Sequence, residues 1–220
     1  MLDIMKKRHS VRQYRKQKLE GEPLRALMEE VSLCNRESGL HIQLVTDEPE
    51  AFGGLLAGYG SFSGVENYFA LIGPKGKELD AQLGYYGERL VLKAQELGLN
   101  TCWVAVTYRK GKCRCEVAPG EKLVCVIALG YGENEGVPHK NRPMEELCQV
   151  EGEKPEWFLR GMEAAMLAPT ALNRQNFLIS LVGNRVRLAC KGTYSGLDSG
   201  ILRYHFEQGA GTENFVWEEA

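Results

Sequence analysis

Apolar residues recur along this chain in two rhythms. Spacings of three and four residues predict helices over Pro23–Leu33, Leu79–Leu97, Glu156–Leu167 and Ser195–Gln208. The second of these is the clearest. Leu83, Tyr86, Leu90, Lys93, Ala94 and Leu97 fall on one stripe, and Gly98 supplies a natural stop. Short apolar runs predict strands over Ile42–Thr46, Tyr68–Ile72, Cys102–Val106, Leu123–Leu129, Phe177–Val182 and Val186–Cys190. The alternation of the two rhythms makes this an α+β chain. The acidic, proline-bearing stretch Glu145–Pro155 reads as a link.

Two segments carry chemistry. In the run Lys7-Arg8-His9-Ser10-Val11-Arg12-Gln13-Tyr14, two guanidinium groups and a hydroxyl occupy alternate positions. An extended backbone would turn all three to one face. Planar, permanently charged forks flanking a hydroxyl make a clamp for a phosphate ester. The alternative is a basic, solvated end to a first helix. The second segment is Ala168-Pro169-Thr170-Ala171-Leu172-Asn173-Arg174-Gln175-Asn176-Phe177. Its small residues and proline let the backbone come close to a flat ligand, and its amides both donate and accept, which suits the edge of a flavin. The alternative there is an ordinary helix-to-strand loop.

Together these segments resemble the FMN-dependent nitroreductase family, which opens with an Arg-Arg-Ser-Val-Arg-x-Phe/Tyr run and carries an Ala-Pro-Ser-x-x-Asn-x-Gln-Pro-Trp run. His9 stands here for the second Arg, and Asn176 for the Pro. Leu97-Gly98-Leu99-Asn100-Thr101-Cys102-Trp103-Val104 is similar to the family's flavin-proximal Leu-Gly-Leu-Gly-x-x-Trp-Ile segment. Ala128-Leu129-Gly130-Tyr131-Gly132, followed by Lys140-Asn141-Arg142-Pro143, is similar to its closing strand and basic tail.

The order of the segments departs from the ordinary family, where the Pro-Ser-x-x-Asn run comes early. The early equivalent, Val31–Gly39, has lost the pattern, and the intact copy lies late in the chain. This arrangement resembles the branch in which the subunit is internally duplicated. Met28-Glu29 aligns with Met162-Glu163, and Ile42–Val45 with Ile179–Val182. Leu83, Arg89, Asn100 and Trp103 align with Leu197, Arg203, Asn214 and Trp217 at a shorter spacing, so the second copy lacks a stretch. The resemblance thus implies a nitroreductase-like fold of two interlocked half-repeats, residues 1–150 and 151–220, each with a sheet and packed helices. One chain would mimic the family dimer and bind one FMN, as a monomer open to further self-association.

Composition narrows the alternatives. With 220 residues, 44% of them hydrophobic, the chain can bury a substantial core. A net charge of −2 argues against nucleic acid or an anionic membrane as partner. Charges begin at Asp3, with no secretory signal, and no apolar run is long enough to cross a bilayer. Seven cysteines without regular spacing fit reduced thiols and a cytoplasmic location. Cys113-Arg114-Cys115 lacks a second ligand pair, and His9, His41, His139 and His205 are dispersed, so no metal is expected. Gly58-Tyr59-Gly60-Ser61-Phe62-Ser63-Gly64 has neither the spacing nor the strand-to-helix context of a dinucleotide fingerprint, and reads as a substrate-covering loop. Cys102 reads either as a buried structural thiol or as a redox-active one.

The resemblance implies an oxidoreductase in which hydride passes from NADH or NADPH to FMN, and electrons then pass to a nitroaromatic, quinone or similar small acceptor in a ping-pong cycle. The cofactor carries the chemistry, so no protein side chain is expected to be catalytic. The phosphate is expected at Arg8, His9, Ser10 and Arg12 with Arg142. Backbone groups of Thr101, Cys102 and Trp103 are expected near flavin N5, with Gly130 and Tyr131 beside them. Pro169, Thr170, Ala171, Asn173 and Gln175 are expected along the ring, stabilising negative charge at its pyrimidine end. The alternatives are a reductase dedicated to one metabolite, a non-catalytic FMN-binding protein, and a module that binds another phosphate ligand.

Overall fold

The computed structural model describes residues 1–53 and 61–218. Gly58 and Gly60 of the glycine-rich stretch lie outside the described residues. The chain divides into two compact units. The N-terminal unit comprises Lys7–Leu79 and Arg89–Pro138; the C-terminal unit comprises Met1–Lys6, Asp80–Glu88 and His139–Ala220.

In the N-terminal unit, α2 (Gly21–Ser38) buries Leu27, Val31 and Cys34, one stripe at intervals of four and three residues. It stops at Gly39, whose φ of 72° puts the chain in the left-handed conformation of a helix C-terminus. Strands β1 (Gln43–Val45), β2 (Asn67–Pro74), β3 (Asn100–Val104) and β4 (Glu121–Gly130) form an antiparallel sheet in the order β1-β2-β4-β3. β2 is buried along its length as far as Gly73, and β4 from Cys125 onward. Both strands therefore read as continuous apolar runs rather than alternating ones. Leu71 faces Cys125 but Ile72 faces Leu123, so Val124 is an extra residue bulged out of β4. On one face Tyr68, Ala70 and Ile72 pack with Cys102, Val104, Val126 and Ala128, and Val11 and Tyr14 from the clamp segment complete this core.

In the C-terminal unit, β5 (Cys148–Val150), β6 (Phe177–Val182), β7 (Arg185–Cys190) and β8 (Val216–Trp217) form a sheet in that order. β6 and β7 make an antiparallel hairpin, and β5 and β8 flank it in parallel. The expected link is thus partly structural. Met144–Leu147 is a short helix (α4) and Cys148–Val150 is an edge strand, with Leu147 and Cys148 buried. The acidic composition of the stretch masked these few apolar positions, which gain a partner only when β6 is alongside.

Helices α5 (Glu156–Ala165) and α6 (Ser195–Ala210) pack through Phe158 and Phe206, whose ring centroids are 5.7 Å apart. Between α3 (Leu79–Glu96) and α6 the backbones meet at glycines. A Cβ on Gly200 would sit 1.9 Å from the Ala81 carbonyl oxygen, and one on Gly84 would sit 2.2 Å from that of Leu197. Beside this contact lies a fully buried pair. His205 Nε2 is 2.9 Å from Glu88 Oε1, and its Nδ1 is 2.9 Å from the Ala164 carbonyl. A carbonyl only accepts, so Nδ1 carries a proton. The remaining helix, α1 (Leu2–Lys7), lies outside the four helices predicted from apolar spacing and ends where the basic run begins. Among the described residues no helix is long and apolar enough to cross a membrane.

Candidate functional site

The Arg8–Arg15 segment leaves α1 and runs along the free edge of the first sheet. Ser10 pairs in parallel with Thr101 of β3, and Val11 N–H donates to the Thr101 carbonyl at 3.0 Å. The next residues pair with two loops. Tyr14 N–H donates to Ser63 O (2.9 Å), and Arg15 N–H donates to Tyr131 O (2.8 Å). The strand-like path has the expected alternation at its centre, where Val11 turns into the core and Ser10 and Arg12 turn away.

The Ser10 hydroxyl hydrogen-bonds the Cys102 thiol, and the charges of Arg12 and Arg8 act on that thiol from nearby. Arg8 is buried, Ser10 is half-buried, and exposed Arg12 places its guanidinium 6.0 Å from the Phe62 ring centre. Burial pushes the Cys102 thiol above its ordinary pKa, while Arg12, the Ser10 hydroxyl and Arg8 pull it down. The net direction is upward, so Cys102 is a neutral thiol at pH 7. It donates weakly to the Trp103 carbonyl at 3.6 Å. Burial also raises the Tyr14 phenol well above its ordinary value, against which Arg12 acts only weakly. That hydroxyl donates to Val11 O at 2.7 Å, fixing the clamp backbone from beneath.

Thr101, Cys102 and Trp103 lie on β3, and Gly130 opposes Asn100 across the β3–β4 pair. A Cβ on Gly130 would come within 3.0 Å of the Tyr14 ring. Tyr131 supplies the carbonyl that holds Arg15. His9 is turned toward the same loop, its Nδ1 3.1 Å from the Glu135 carbonyl. The N-terminal unit therefore gathers Arg8, His9, Ser10, Arg12, Thr101, Cys102, Trp103, Gly130 and Tyr131 around one end of its sheet.

Arg142, Pro169, Thr170, Ala171, Asn173 and Gln175 gather separately in the C-terminal unit. Leu172, Asn173 and Gln175 all have positive φ, at 55°, 51° and 49°. Such a run of non-glycine residues persists only where contacts over-determine it. Gln175 is buried and its amide is fully used. Nε2 donates to Lys140 O (2.7 Å) and Asn173 Oδ1 (2.9 Å), and Oε1 accepts from Arg142 N–H (3.0 Å). Asn173 Nδ2 also donates to Lys140 O, at 3.0 Å. The Arg142 guanidinium pairs with Glu146 at 2.8 Å and donates to Gln175 O at 3.3 Å. The amides and guanidinium thus organise the loop itself, and the side chains it exposes are Leu172, Asn173, Arg174 and Asn176.

Two residues here escaped the sequence reading. Asp198, near the start of α6, accepts from Ala171 N–H at 3.0 Å, and burial raises its carboxyl pKa to about 6. Asn100 accepts from Gly132 N–H at 3.0 Å and donates to Glu135 at 3.4 Å. Asn100 lies within a recognised segment, but its side chain has no motif of its own; Asp198 carries no sequence signal.

Nothing among curated proteins matches this chain. Solved structures do. A putative nitroreductase from Thermotoga maritima is 21% identical, with a TM-score of 0.66 over 93% of this chain and 81% of its own. A putative nitroreductase from Desulfovibrio desulfuricans, crystallised in complex with FMN, is 20% identical, with a TM-score of 0.54 over 70% of this chain and 97% of its own. A nitroreductase family protein from Streptococcus pneumoniae is 16% identical, with a TM-score of 0.53 over 70% and 99%. At these identities the structures establish a shared nitroreductase fold. The family profile described as "Putative TM nitroreductase" matches residues 1–210, nearly the whole chain and both candidate clusters, and to that family this protein belongs.

Proposed function

We propose that this protein is an FMN-dependent oxidoreductase that takes hydride from NADH or NADPH and reduces a nitroaromatic, quinone or similar small acceptor in a ping-pong cycle. The observation that carries the reading is the Arg8-Ser10-Arg12 run bound to the edge of β3, where Ser10 pairs with Thr101 and Val11 N–H donates to the Thr101 carbonyl. Two guanidiniums and a hydroxyl, on a backbone tied to Thr101, fit a phosphate monoester. The FMN complex of the Desulfovibrio neighbour supports the choice of ligand.

When bound, FMN supplies the hydride and electron-transfer chemistry; the chain supplies binding, orientation and electrostatics. Arg8, Ser10 and Arg12 hold the phosphate, with His9 in the same run. Thr101, Cys102 and Trp103 present strand backbone to the ring, with Gly130 and Tyr131 alongside. The neutral Cys102 thiol serves as packing rather than as a nucleophile. The loop Pro169, Thr170, Ala171, Asn173 and Gln175, shaped through Lys140 and Arg142, offers the exposed Leu172 for apolar contact and the exposed Asn173 and Arg174 for polar contact with a ligand.

We also propose that residues 1–150 and 151–220 descend from one duplicated half. Supporting this, α2 and β1 are followed by α3 and β3 in the first part, as α5 and β6 are followed by α6 and β8 in the second.

The test is direct. Purified protein should release FMN on denaturation, and NADH or NADPH should bleach its flavin absorbance. Arg12→Ala should weaken FMN by roughly 10- to 150-fold, the equivalent of ~1.5–3 kcal/mol for one charge-assisted contact. Undiminished FMN affinity in Arg12→Ala would sink the phosphate assignment. A flavin that binds but is not bleached would leave a binding protein rather than a reductase.

A further inference from the structure

Resting on the phosphate-clamp reading, we infer that Asn100 is a positioning residue: with the Tyr131–Gly136 loop, it forms a clasp that holds the Arg8–Arg15 segment in phosphate-binding shape. The clamp segment takes its geometry from its neighbours: β3 at Thr101, the loop at Ser61–Ser63, and the Tyr131–Gly136 loop, which holds Gln13, Tyr14 and Arg15. Arg15 N–H donates to Tyr131 O at 2.8 Å, and Glu133 N–H donates to Gln13 O at 2.9 Å. Tyr14 pairs with Gly132 in an antiparallel bridge, and Asn134 Nδ2 donates to Gln13 Oε1 at 3.3 Å. His9 closes the far end. The Glu135 carbonyl only accepts, so His9 Nδ1 is the donor across their 3.1 Å contact. His9 therefore anchors the clasp through Nδ1.

What fixes the loop is Asn100. It is buried at the start of β3, one residue before the Thr101 that carries the clamp backbone. Its Oδ1 takes the Gly132 N–H, and its Nδ2 reaches the Glu135 carboxylate. One amide thus ties strand, loop and clamp together. The fit is close. A Cβ on Gly132 would meet Asn100 Oδ1 at 2.7 Å, and one on Gly136, at φ +70°, would meet His9 Cβ at 2.7 Å. Support of this kind, one contact behind the ligand-binding groups, sets how sharply those groups are pre-organised.

The experiment compares FMN with riboflavin, which lacks the phosphate, by fluorescence titration. Parent protein should prefer FMN. Asn100→Ala should lower FMN affinity ~5- to 10-fold, the effect of losing one buried hydrogen-bonded anchor, and leave riboflavin affinity unchanged. Asn100→Asp keeps the acceptor for Gly132 but sets a carboxylate against Glu135, and should weaken FMN likewise. Asn100→Asp combined with Glu135→Gln restores a donor–acceptor pair at the parent net charge and should recover the preference. In flavin-free protein, amide exchange at Tyr14 and Arg15 should speed up in Asn100→Asp and return in the double variant. Equal loss of both flavins, an undiminished preference in both single variants, or failure of the double variant to recover would each overturn the inference. A parent that binds riboflavin as tightly as FMN would remove the phosphate clamp itself, and this inference with it.

Discussion

Replacing Asp198 by Asn tests whether one half-buried carboxyl taxes the loop that carries Pro169–Gln175. Asp198 accepts Ala171 N–H at 3.0 Å, a bond that favours the ionised form. Burial is the larger effect, and it raises the pKa from 3.8 to about 6. A folded-state value above the unfolded one means that the native protein holds the proton more tightly. Asp198 therefore costs nothing below about pH 3, where both states are protonated. Its penalty grows as pH rises through 3.8 toward 6, where the unfolded chain ionises first, and is complete above about pH 7. A rise of that size would amount to at most ~3 kcal/mol, and partial solvent exposure reduces it to about 1 kcal/mol. Asn keeps an oxygen for Ala171 N–H and has no charge to desolvate. Asp198→Asn should therefore be about 1 kcal/mol more stable than the parent at pH 7.5 and equal to it at about pH 3. Urea unfolding at both pH values, followed by circular dichroism, measures this. A variant less stable than the parent at pH 7.5 would show that the bond from Ala171 outweighs desolvation, and the reasoning would fail.

Other perturbations probe separate parts of the molecule. Gly200→Ala drives a methyl group to within 1.9 Å of the Ala81 carbonyl oxygen and should cost about 3 kcal/mol or more, read as a lowered Tm. A stability within 0.5 kcal/mol of the parent would contradict that close approach. Glu88→Ala leaves His205 Nε2 without its carboxylate partner at a fully buried site and should cost ~1–3 kcal/mol in urea unfolding, more than loss of the exposed Arg160–Glu156 pair. Asn173→Ala removes the bonds to Lys140 and Gln175 and forces alanine to φ 51°, so FMN retention should fall by about tenfold. An unchanged FMN dissociation constant and reduction potential would place the loop's role away from the cofactor.

Local rhythm was enough to read most elements. The stripe Leu83–Leu97 became α3, Phe177–Val182 became β6 with the bounds its pattern implied, and the continuous apolar runs became the central strands β2 and β4. These succeed because the periods of helix and strand decide which side chains can be buried together, and that is written in neighbouring residues. The outward turn of Ser10 and Arg12 on either side of buried Val11 was legible for the same reason, since extended backbone turns alternate residues to one side. Elements that depend on a distant partner were not. Cys148–Val150 is a strand because β6 offers it an edge, and its own short, acid-flanked sequence gives no rhythm. The amides of Asn173 and Gln175 read as ligand donors, yet through-space neighbours at Lys140 and Arg142 claimed them for the loop. Asn100 and Asp198 gained their roles the same way, from Gly132 and Ala171, which no spacing along the chain connects to them. A polar side chain's partner is set by where the backbone ends up, and that is a property of the packed chain rather than of any local pattern.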